Sequence, residues 1–134
     1  MKLSTIALAA GVLFAGHAYA QPASLACNGE MTVVRVSKLK PGATLAQFED
    51  AVHDHMAWYR SHGFTQNTQV IGKLVKRDPA TRAPVYATDE VVTIHRNSPM
   101  GSAVKPDAAW DAYVAKYRKV SDIESEVYAC IPKG

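Results

Sequence analysis

The chain has 134 residues, 48% of them hydrophobic and 20% charged, and a formal net charge of +3. These are the proportions of one globular domain, which excludes a collagen-like, coiled-coil or intrinsically disordered chain. So small a charge does not argue for nucleic acid, and none is expected as a partner.

At the N-terminus, Lys2, the apolar run from Leu3 to Gly16 and the small-residue ending Ala18-Tyr19-Ala20 have the make-up of a secretory signal peptide. Residues 1–20 are read as that signal and residues 21–134 as a single α+β domain of 114 residues with a charge of +2. The apolar run is too short for a spanning helix, so no stable membrane insertion is expected after cleavage. Ser24-Leu25-Ala26-Cys27 makes a poor lipobox, because its leucine stands one place too close to the cysteine, and lipoprotein anchoring is disfavoured. A periplasmic or secreted location follows. There, two cysteines most simply make one disulfide, Cys27 to Cys130.

Met31 to Ser37 is β-branched and alternating, a first strand ended by Lys40-Pro41-Gly42. Thr44 and Gln47 have capping-box spacing. Leu45, Phe48, Val52, Met56 and Tyr59 follow on one helical stripe, and Gly63 stops the helix. Asn67 to Arg77 and Val85 to Arg96 are two strands of a hairpin, turned by Asp78-Pro79 and Ala83-Pro84. Lys73, Lys76, Arg77 and Arg82 cluster without interleaved aromatics and read as charges guarding a strand edge. After the loop Asn97 to Ser102, Pro106-Asp107 opens a second helix with Trp110, Tyr113, Val114 and Tyr117 inward. Ser121 to Ile131 is the last strand.

Strand, helix, strand, strand, helix, strand is the split βαβ pattern of a ferredoxin-like sandwich. It has a four-stranded antiparallel sheet with two helices on one face. Right-handed crossovers order the strands fourth, first, third, second. The start of the first strand then lies beside the end of the fourth, where Cys27 and Cys130 fall.

Val34, Val36, Val92, Ile94, Ile123, Val127 and Ala129 are the strand residues best suited to meet the helices. Alternation then sends Val33, Arg35, Val91, Thr93, His95, Glu124, Glu126 and Tyr128 to the opposite face. That mixture could bind a polar small molecule or pass a proton. The same residues also suit a solvated face with Arg35 paired to Glu124 or Asp122.

From Met31 to Ile131 this order resembles the dimeric α+β barrel superfamily. Its relatives include the antibiotic biosynthesis monooxygenase-like, ethyl tert-butyl ether degradation-like and NIPSNAP-like families, in which two ferredoxin-like chains join their sheets around a cavity. The resemblance rests on topology without a signature motif, and no catalytic residue is carried over. It implies a homodimer and, for an enzyme, cofactor-independent oxidation or isomerisation. Within such a cavity His95 is expected as general base or hydrogen-bond donor, its charged form favoured by nearby carboxylates. Arg35 would orient an anionic or carbonyl group, and Thr93, Glu124, Glu126 and Tyr128 would position the small organic ligand.

No metal or cofactor is expected. His53 and His55 point roughly 200° apart on a helix, and His55 and His62 stand about 10.5 Å apart along its axis. No glycine-rich phosphate loop, nucleophile elbow or Cys-x-x-Cys pair is present. The second functional reading is a non-catalytic interaction module whose helix flank of His55, Trp58 and His62 docks a partner protein.

Overall fold

Each helix begins where a side chain satisfies its first-turn amides. In the computed structural model, which describes residues 27–132, Gln47 N donates to Thr44 Oγ1 at 3.3 Å, and Thr44 N donates to Gln47 Oε1 at 2.9 Å. This capping box opens α1 (Leu45–Ser61). Gly63, at φ +82°, ends it, and Phe64 N donates back to Tyr59 O at 3.0 Å. Asp107 caps α2 (Ala108–Val120) by accepting from Trp110 N at 2.9 Å. The strands are β1 (Glu30–Leu39), β2 (Thr68–Arg77), β3 (Pro84–Arg96) and β4 (Ser121–Ile131), the last following α2 without a linker. The signal peptide expected over residues 1–20 lies outside the described residues.

The sheet order is β2-β3-β1-β4, every neighbouring pair antiparallel, with the helices packed on each other. This is the expected ferredoxin-like arrangement. Met31 pairs with Cys130, so the segment entering β1 runs beside the end of β4, and Cys27 is bonded to Cys130 across a sequence separation of 103. A side chain at Gly29 would place its Cβ 2.0 Å from the Ile131 carbonyl oxygen, so the closely approaching backbones admit only glycine there.

The face assignment is the reverse of the one expected. The sheet surface beneath the helices carries Val33, Arg35 and Ser37 of β1 and Val91, Thr93 and His95 of β3, and of these only Arg35 is not fully buried. The opposite surface carries Val34, Val36, Val92 and Ile94, half-buried, with Val70 and Val127 more than half exposed. Alternation determines which residues share a face, whereas the handedness of the crossover determines which face receives the helices. Both sets contain enough valine that apolarity alone chose wrongly. A bulge in β4 adds a second correction: Val36 pairs with Ser125 but Ser37 with Ile123, leaving Glu124 as the extra residue. Ile123 therefore joins Glu126 and Tyr128 on the helix side, while Val127 and Ala129 stay on the other.

Two apolar clusters form between the layers. One joins Phe48, Val52, Val91 and Val120, and the other Trp58, Tyr59 and Tyr113. The strand groups between them are arginine, threonine and histidine rather than aliphatic, and Tyr117 packs against both clusters.

Candidate functional site

Where a continuous core would otherwise run, a cavity of about 540 Å³ lies between sheet and helices. Phe48 of one cluster and Tyr59 and Tyr113 of the other border it. Its floor is Arg35, Thr93, His95 and Gln69; its roof is His55, Trp110, Tyr113, Val114 and Tyr117. The loop residues Ser98 to Gly101, with Val104, and Ile123 and Tyr128 of β4 close the sides. The volume and the mostly apolar walls with a few polar groups are those of a small-molecule site.

His95 is buried and held neutral. Asn67, 1% exposed, accepts from Arg60 Nη1 at 2.6 Å through Oδ1 and from Arg60 Nη2 at 2.5 Å through its backbone oxygen. Its amide nitrogen is thereby turned to donate to His95 Nε2 at 2.9 Å. The proton of His95 then sits on Nδ1, 3.4 Å from Ser98 Oγ. Burial first, then the charges of Arg35 and Arg60, bring its pKa down to about 4. The expectation of a carboxylate-favoured, charged histidine fails first because the helices bury His95, and then because the charges acting on it, Arg35 and Arg60, are cationic.

Above it, His55 packs edge-to-face on His95 with ring centroids 5.3 Å apart and stacks on Tyr113 at 4.7 Å. Its Nδ1 lies 3.3 Å from the Tyr117 hydroxyl. Burial, then His95 and Arg35, lower its pKa to about 3. Burial raises the phenols of Tyr113 and Tyr117 well above their ordinary value, so both are neutral hydroxyls.

Arg35 crosses to the β4 edge, where Nε donates to Glu126 Oε2 at 2.6 Å and Nη2 to the same oxygen. The Tyr128 hydroxyl donates to the other Glu126 oxygen. Burial acts to raise the carboxyl of Glu126, but the bonds from Tyr128 and Arg35 outweigh it and hold it below the usual range. The strand pairings Val33 with Tyr128 and Arg35 with Glu126 build this group directly.

The structure thus brings His95, Arg35, Thr93, Glu126 and Tyr128 to one side of the sheet. Glu124 is not with them. The bulge turns it to the far face, beside Glu90, which raises its pKa and is itself ion-paired with Lys76. The helix flank proposed for partner docking is also revised: His55 and Trp58 are 7% and 4% exposed, and too deep to meet a partner. Trp58 Nε1 donates to Asp107 Oδ1 at 2.7 Å, while His62, stacked on Trp58, places Nε2 3.1 Å from Asp107 Oδ2. This trio locks the end of α1 to the start of α2.

Sequence reasoning missed Asn67, Arg60 and Gln69. Gln69 pairs with His95 across β2 and β3, so the correct face assignment would have found it. Tyr113 is expected in the core, which is correct for its ring, and its hydroxyl is buried there without a hydrogen-bond partner. Among the described residues no three histidine, cysteine, aspartate or glutamate side chains converge as a metal site, and no helix is long and apolar enough to cross a membrane.

Fold and cavity together define a ferredoxin-like α+β sandwich hollowed between its layers. No protein-family model matches the chain, and no curated protein matches it. Among solved structures it is similar to a dimeric ferredoxin-like protein of unknown function from Thermobifida fusca. That likeness has 15% identity and a TM-score of 0.36, and covers 81% of this chain and 96% of the other.

Proposed function

We propose that this is an exported, disulfide-locked small-molecule-binding protein whose ligand lies between sheet and helices. The observation that carries the reading is the cavity itself. A domain this small has little core to spare, yet its aromatic residues surround a space instead of filling it. Binding is favoured over proton transfer because His95 is neutral by a wide margin, with Nε2 engaged by Asn67. Arg35, Thr93 and Tyr128 line the cavity and remain ligand contacts in this reading, while Glu126 holds Arg35 and Tyr128 from behind. Export is supported by the disulfide and the signal-like N-terminus.

The open sheet face supports a homodimer. Val34, Val36, Val92 and Ile94 form an apolar strip flanked by the exposed Val70 and Val127, a surface suited to a second copy. Native mass spectrometry of protein purified from its own compartment tests both parts. The expected species is a dimer carrying a small molecule, with Val114→Trp losing the adduct and Val127→Asp losing the dimer. A monomer without an adduct would overturn the reading.

A further inference from the structure

Resting on that reading of the cavity, we propose that its ligand is an uncharged molecule with a hydroxyl head group on an apolar body. The head group is held by the Tyr113 hydroxyl and the Gln69 carboxamide. Anions are refused although an arginine lines the site.

Two buried polar atoms of the wall, the Tyr113 hydroxyl and Gln69 Oε1, have no hydrogen-bond partner of normal length, although the Gln69 side chain lies near enough to His55 and Tyr117 to act on both. Both residues line the cavity, one from α2 and one from β2, and Tyr113 is only 3% exposed. Buried polar groups are ordinarily satisfied, and their neighbours here are: His95 by Asn67, and His55 by Tyr117. Gln69 Oε1 can only accept, whereas a neutral phenol can donate or accept. A ligand hydroxyl does both, and so matches the pair. Burial keeps the Tyr113 phenol protonated and able to donate.

Charge selects in the same direction. Two nitrogens of Arg35 are taken up by Glu126, to which Tyr128 also donates. The remaining charged lining groups, Arg118 and Asp122, are exposed at the rim and opposite in sign. Glu126 already balances the charge of Arg35, so an entering carboxylate would share that one cation with Glu126 and give up its own hydration, at a desolvation penalty. Phe48, Val104 and Val114 offer the apolar body its contacts.

Three shape-matched probes test this by calorimetric titration of the oxidised full chain: naphthylmethanol, methylnaphthalene and naphthoate. The alcohol should bind about tenfold more tightly than the hydrocarbon and more tightly still than the anion. Tyr113→Phe and Gln69→Leu should each abolish the preference for alcohol over hydrocarbon while leaving the hydrocarbon affinity unchanged. Tyr113→Phe should also leave the melting temperature of the empty protein unchanged or raised, because it removes an unsatisfied group. Equal binding of alcohol and hydrocarbon, tighter binding of naphthoate, or a lowered melting temperature for Tyr113→Phe would overturn the head-group assignment while leaving the cavity reading intact. Failure of all three probes to bind would overturn both.

Discussion

Lowering the pH should unfold this domain through its two stacked histidines. An unfolded histidine takes up its proton near pH 6.5, whereas His55 and His95 in the fold do so only at about 3 and about 4. Below pH 6.5 the unfolded chain therefore binds protons that the folded one refuses. The stability these groups allow is fully present above that pH and is lost as the pH falls toward 4. With one proton per histidine, the slope between about pH 6 and pH 4 approaches 2.7 kcal/mol per pH unit. The loss from pH 7 to pH 4.5 totals about 5 kcal/mol, comparable to the whole stability of a small domain. Urea denaturation across that range measures the slope, and His55→Phe, which keeps a ring on Tyr113, should roughly halve it. A wild-type stability flat from pH 6.5 to 4.5, or His55 and His95 imidazole resonances titrating near 6.5, would refute the burial argument.

Two further outcomes follow from the packing. Replacing Cys27 and Cys130 together by alanine removes a cross-link spanning a sequence separation of 103. The chain-entropy model puts the cost at about 4.7 kcal/mol, a fall in melting temperature of about 20 °C, and a scan of the double variant that matches wild type would contradict it. Asn67→Ala strips a donor from the buried His95 and an acceptor from the exposed Arg60. It should cost about 2 kcal/mol in urea denaturation. The same variant should raise the His95 pKa, visible by NMR, because the neutral form loses its bond.

Local chemistry made much of the fold legible. The Thr44 and Gln47 capping box, Gly63 and Asp107 act within a few residues of themselves, so their roles do not depend on how the layers meet. Ser121 to Ile131 came out with the bounds of β4, because the alternation begins directly after the helix stripe ends at Val120. Glu124 went wrong at the bulge, since one inserted residue reverses every side chain on one side of it and leaves no mark in composition. His55 and Trp58 were read as a helix flank because their polar atoms suggest exposure. In the fold those atoms are matched by Tyr117 and Asp107, which lie 62 and 49 residues away.

The order of elements, the antiparallel strand sequence and the pairing of Cys27 with Cys130 were decided by periodicity, turn chemistry and the handedness of connections, all of which are written along the chain. Which side of the sheet the helices cover was decided only in three dimensions. Pleating yields two self-consistent faces, and the crossover chooses between them. That choice moved Arg35, Thr93 and His95 from an open surface into a lined cavity. It buried His95 beneath the helices, with Arg35 and Arg60 as the charges acting on it, and so reversed the direction in which its pKa moves.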